Sequence, residues 1–155
     1  METATAAVLD AAILLENTLS KLYNHFSVKI PDHRDFWFEM QLEEKNHALL
    51  LKTIKEFAAI GKLPEDILLE GEDEYLTTIQ EINGFIKTIK NINLSAACEF
   101  AHKIETTSGE IHFQQAMTRK DPDNITRIFK RLNAMDINHA QRIWDYWHTQ
   151  ERKKT

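Results

Sequence analysis

Apolar residues recur at steps of three and four along nearly the whole chain, and this period dictates long amphipathic helices. Val8, Ala12, Leu15, Leu19, Leu22 and Phe26 form the first stripe, which predicts a helix over about 4–27. Pro31 cannot donate a backbone hydrogen bond and blocks its continuation. A second stripe reads Met40, Glu44, His47, Leu51, Ile54 and Ala58 over about 35–60, with Gly61 suited to the left-handed position beyond its end. Tyr75, Ile79, Ile82, Ile86 and Ile89 predict a helix near 74–90, despite the ~1 kcal/mol that Gly84 costs relative to alanine. That stripe holds no polar residue, which marks a crossover element rather than part of a site. A further helix starts at Leu94 or Ser95 and runs to about Met117. Asp121-Pro122-Asp123-Asn124 is a turn with Asn124 as N-cap, and the last stripe is Ile125, Phe129, Leu132, Asp136, His139, Ile143 and Tyr146.

The chain repeats itself. Glu44 and His47 recur as Asp136 and His139, and Glu16 lies seven residues before Tyr23 as Glu105 lies seven before His112. Two hairpins, 4–60 and 94–151, each carry one acid on the first helix and acid-x-x-His on the second. The expected fold is all-α, a single domain built as a four-helix bundle with pseudo-twofold symmetry. One long crossover, 61–93, joins the hairpins. Only 4 glycines and 3 prolines in 155 residues agree, because sheets and tight turns consume glycine.

Several function classes fall away. A formal charge of −5 disfavours nucleic-acid binding, which needs a basic face, and Arg152-Lys153-Lys154 reads as a solvated helix end. The single Cys98 excludes an intramolecular disulfide and any four-cysteine metal site; its apolar helical setting makes it a small buried residue. No apolar run approaches the ~18 residues of a membrane span, and no secretory signal is evident, so a cytoplasmic protein is expected. Trp37, Trp144 and Trp147 read as packing residues.

An acid and a histidine three apart on a helix share one face, one turn from each other. Both can therefore reach one metal ion. Glu16, Glu44, Glu105 and Asp136 with His47 and His139 supply four carboxylates and two imidazoles, all on or beside apolar stripes. Divalent iron or manganese accepts such an oxygen–nitrogen set, and four carboxylates balance two divalent ions. Without metal, these like charges in a low dielectric force protonation.

The chain resembles the ferritin-like superfamily, and most closely its rubrerythrin-type di-iron domain. Glu16 with Tyr23, Glu43-Glu44-Lys45-Asn46-His47, Cys98-Glu99-Phe100-Ala101 leading to Glu105, and Asp136-Ile137-Asn138-His139 carry the resemblance, which spans all but 61–93. It implies two bound iron ions bridged by Glu44 and Asp136, with Glu16 and Glu105 as terminal ligands and His47 and His139 completing the sites. It further implies reduction of peroxide or dioxygen as an oxidative-stress function, in a homodimer. The family's rubredoxin module would be missing, so electrons would come from a separate donor protein.

Departures accompany the matches. Asp136 is one methylene shorter than the usual glutamate, which threatens its bridging role. Glu99-x-x-His102 is a rival acid–histidine pair, and His102, one turn before Glu105, could join or replace it. Tyr23 or His112 could hydrogen-bond a ligating carboxylate, and His112 reads equally as a core histidine. Two other classes stay open. One is iron binding, oxidation or storage without turnover; the other is a metal-free helical interaction module.

Overall fold

A computed structural model describes residues 2–62, 72–108 and 124–153, with the side chains of 2–4, 107–108, 124–125, 129, 133 and 136–137 excepted. The elements are α1 (Glu2–Lys29), a 3₁₀ turn (Pro31–His33), α2 (Arg34–Ala59), α3 (Glu72–Thr88), α4 (Leu94–Ser108) and α5 (Asn124–Arg152). Among the described residues there is no strand, and every regular element is a helix. No helix among them is long and apolar enough to cross a membrane. The expected continuation to Met117, His112, the Asp121-Pro122-Asp123 turn and the Asn124 cap side chain lie outside the described residues.

Local chemistry sets the helix ends. Pro31 opens the 3₁₀ turn that reverses the chain between α1 and α2, with the His33 amide donating to Ile30 O at 2.9 Å. α2 closes on a Schellman motif: Lys62 N donates to Phe57 O and Gly61 N to Ala58 O, both at 3.0 Å. Gly61 has φ +69°, a conformation in which a β-carbon would be strained. Asn93 caps α4, its Oδ1 accepting from Ala96 N at 2.9 Å.

The stripes become the core. On α2 the buried set is Trp37, Met40, Gln41, Glu44, His47, Ala48, Leu51 and Ile54, so two ionisable groups sit in line with the apolar ones. α1 buries Leu15, Leu19, Leu22, Tyr23 and Phe26 against it, and each such side chain contributes about 1.5–3 kcal/mol of burial. α1 and α2 run antiparallel, since Asp10 pairs with Lys55 at 2.5 Å while Ser20 Oγ donates to Gln41 O at 3.2 Å. α2 and α5 are also antiparallel: Phe36 stacks on Tyr146 at one end and Glu44 meets His139 further along. α3 packs on α1 through Tyr75, Ile79 and Ile82, and its Phe85 stacks on Phe100 of α4. It adds no acid or histidine to the interior, in keeping with its apolar stripe.

Candidate metal centre

Four helices each direct a polar side chain into the same buried region. Glu16 comes from α1, Glu44 and His47 from α2, Glu105 from α4 and His139 from α5; all are 4% exposed or less. Glu44 stands between the two imidazoles. Its Oε2 lies 2.9 Å from His47 Nδ1 and its Oε1 2.9 Å from His139 Nδ1. Glu16 Oε2 is 3.6 Å from His47 Nδ1, and Glu105 Oε2 is 3.9 Å from His139 Nδ1. The imidazole rings lie nearly parallel, 15° apart with centroids at 5.1 Å. One donor atom each from Glu44, His47 and His139 falls within 4.8 Å of the others, which suits a shared cation.

The wiring around His139 tells which nitrogen faces inward. His139 Nε2 lies 2.6 Å from Glu43 Oε2, and both oxygens of Glu43 accept from Arg142, at 2.7 and 2.6 Å. A carboxylate so held takes the Nε2 proton, leaving Nδ1 to face Glu44. His139 Nδ1 and Glu44 Oε1 nonetheless form no hydrogen bond of acceptable geometry with each other or with any other described residue. Two buried, converging polar atoms paired through charge but without hydrogen-bond geometry are under-satisfied in an apolar interior, and a cation accepting both would satisfy them. The residues therefore fit a metal ion.

Electrostatics point the same way. Burial lifts Glu16 to about 7 against the pull of His47, and burial with the charge of Glu44 lifts Glu105 to about 8. Burial would also raise Glu44, but His139 and His47 hold it well below the ordinary carboxylate range. Burial opposes charge on the histidines, yet Glu16 and Glu44 push His47 up to about 10, and Glu43 and Glu44 push His139 up to about 11. The hydrogen bond from His139 brings Glu43 down to about 2 despite partial burial, helped by Arg142. The metal-free cluster thus stores protons where a cation would otherwise supply the charge.

Of the residues singled out in the sequence, Glu16, Glu44, His47, Glu105 and His139 are brought together. Tyr23 reaches them as well, its phenol donating to Glu105 Oε1. Asp136 lies in α5 one turn before His139, but its side chain is outside the described residues, as is His112. Glu99 and His102 are not part of the cluster. They line a groove of about 620 Å³ between α4 and α5, where His102 packs on Trp144 at 5.2 Å. Cys98 is buried and its thiol is pushed up to about 12 by desolvation, the property of a packing residue rather than a reactive one. Of the tryptophans, Trp37 is fully enclosed while Trp144 is 42% exposed.

Sequence reasoning missed Glu43 and Arg142. Glu43 lies one residue before a core acid, where helical period aims it off the buried face, and only its neighbour across the interface gives it a task. The signal available was Arg142, three residues after His139 and able to share its face. No family model, curated protein or solved structure matches this chain.

Proposed function

We propose that this chain is a ferritin-like, di-metal carboxylate protein of rubrerythrin type. In this reading it reduces peroxide or dioxygen in the cytoplasm, using electrons from a separate donor. The single observation that carries the reading is Glu44 held between His47 Nδ1 and His139 Nδ1, with Glu16 and Glu105 beyond them. Glu44, His47 and His139 would hold one ion, with Glu16, Glu105 and Asp136 as the further ligands for a pair. Bound iron or manganese supplies one-electron redox steps that no side chain here provides by itself.

The chain's own residues have defined tasks around it. Glu43 keeps the Nε2 proton of His139 and so presents Nδ1 inward. Tyr23 donates to Glu105 and fixes one oxygen of that carboxylate. Glu16 and Glu105, protonated near neutrality in the empty cluster, release protons as metal enters. The surrounding core, with Leu15, Leu22, Met40 and Ile104 fully enclosed, keeps bulk water from the site.

An anaerobic Fe(II) titration of the metal-free protein tests this, followed by peroxide and air in separate samples with optical spectra. Two equivalents bound per chain and rapid oxidation by peroxide are expected. Binding with slow oxidation and no turnover would move the protein to iron handling. No binding would leave a metal-free helical module.

A further inference from the structure

Four aromatic rings meet in the groove between α4 and α5, outside the buried acid–histidine cluster. Phe85 of α3 stacks on Phe100 of α4 with centroids 3.5 Å apart at 5°, and both line the groove. Trp144 and Trp147 of α5 line it as well, with centroids 6.1 Å apart and rings at 83° to each other. Trp144 has His102 at 5.2 Å and His148 at 4.0 Å beside it, yet it stays 42% exposed. Two charged residues of α4, Glu99 and Lys103, complete the lining.

Packing explains rings in contact with one another, but not indole surface left open between helices, where long charged side chains ordinarily lie over apolar surface. The two charges here have unequal commitments. Lys103 Nζ is paired with Glu81 Oε1 of α3. Glu99 is exposed, and among the described residues it has no hydrogen bond or ion pair. The committed charge is therefore the cation, and the uncommitted one is the anion. Aromatic faces carry partial negative charge and attract organic cations, most strongly at tryptophan. The formal charge of −5 on the chain adds a longer-range attraction of the same sign. A volume of about 620 Å³ is the size of a small-molecule site.

We infer that this groove binds an organic ammonium ion, quaternary or tertiary, that carries an aromatic or other apolar group. The ammonium would lie against Trp144 within reach of Glu99, and the apolar group against Phe100 and Phe85. An aromatic acid is disfavoured, because the lysine lining the groove is held by Glu81 and Glu99 would repel a carboxylate. A bare metal ion is disfavoured too, since ring faces offer it no ligand atoms and one carboxylate is a poor site. The groove lies apart from the buried cluster, so this site needs no metal there and stands independently of the function proposed above.

Benzyltrimethylammonium is the probe, with benzyl alcohol and phenylacetate as its neutral and anionic counterparts. Each is titrated into the full chain, read by calorimetry and by the proton resonance of the Trp144 indole. The expected result is one equivalent of the ammonium bound per chain, about tenfold tighter than benzyl alcohol, with phenylacetate weakest. E99Q keeps the shape and removes the charge, and W144L keeps an apolar side chain and removes the ring face. Each should weaken ammonium binding by about tenfold and leave benzyl alcohol far less affected. E81Q releases Lys103 to compete for Glu99, four residues away on the same helix face, and should weaken binding in the same direction. Glu99 and Trp144 are both exposed, so the variants are expected to fold, which circular dichroism checks; were W144L unfolded, E99Q would decide. Absence of saturable binding at millimolar ammonium, equal or tighter binding of benzyl alcohol or phenylacetate, or an unchanged affinity in E99Q would each overturn the site. Failure of this experiment leaves iron binding at the buried cluster unaffected, and failure of iron binding leaves the groove intact.

Discussion

His47 and His139 sit at the same place in the same motif, one on each hairpin, and their rings lie almost parallel. Their surroundings differ. His47 has Glu16 of α1 and Glu44 of α2 beside it, whereas among the described residues the two acids nearest His139, Glu43 and Glu44, both come from α2, with Glu105 of α4 further off at 3.9 Å. The first hairpin therefore serves both histidines, and Arg142 returns the contact from α5 by gripping Glu43. A repeat in sequence has become a division of labour. One half supplies the shared carboxylate, and the other supplies the histidine that must be oriented from outside.

Removing the shared group should have the largest effect. Glu44→Ala leaves two buried imidazoles without their common carboxylate, so metal binding at both histidines is expected to vanish. Stability without metal should drop by about 3–5 kcal/mol, as for other broken buried ion pairs. Calorimetric Fe(II) or Mn(II) titration and denaturant melts read both, and retained binding at either histidine would show that Glu44 is not shared.

Glu43→Gln sharpens the asymmetry. It keeps the shape but weakens the hold on His139 Nε2, and about a 10–100-fold loss of metal affinity is expected. The loss should fall on the ion that His139 shares with Glu44 and His47; an unchanged affinity would mean that Nδ1 of His139 is aimed without help from Glu43.

The pH response separates the metal-free and loaded protein. The folded-state values of Glu16 and Glu105 are raised to about 7 and 8, so their stabilising contribution is complete below the unfolded carboxyl range and is lost as pH climbs through those values. The histidine contributions are complete below the unfolded imidazole range and are lost as pH rises through about 10 and 11. Glu44 behaves oppositely, its contribution disappearing only in acid. Metal-free stability should therefore decline from about pH 5 to pH 8 and beyond, while metal affinity, which needs deprotonated ligands, rises over the same interval. Melting temperatures with and without Mn(II) across that range test the crossing.

The smallest effect is expected where the two halves are alike. Lys55–Asp10 and Lys103–Glu81 are exposed ion pairs, one within the first hairpin and one between α3 and α4. Lys55→Ala and Lys103→Ala should each change stability by about 0–1 kcal/mol, in chemical denaturation at moderate salt.

Helical period, Pro31 and Gly61 are local facts, written in backbone sterics and side-chain spacing, and they suffice for the helices and their ends between residues 2 and 62. The same spacing suffices to place Glu44 and His47 on a buried face, because a face is a property of one helix. Which nitrogen of His139 points inward is not such a property. It depends on Glu43 and Arg142 meeting across two helices far apart in the chain. Glu99 and His102 teach the converse: their spacing is as good as that of Glu44 and His47, yet α4 turns them toward a surface groove. Motif spacing determined what each helix could offer this protein. Only the rotation and register of helix against helix decided which offers converge, because desolvation and donor distance arise between elements and not within them.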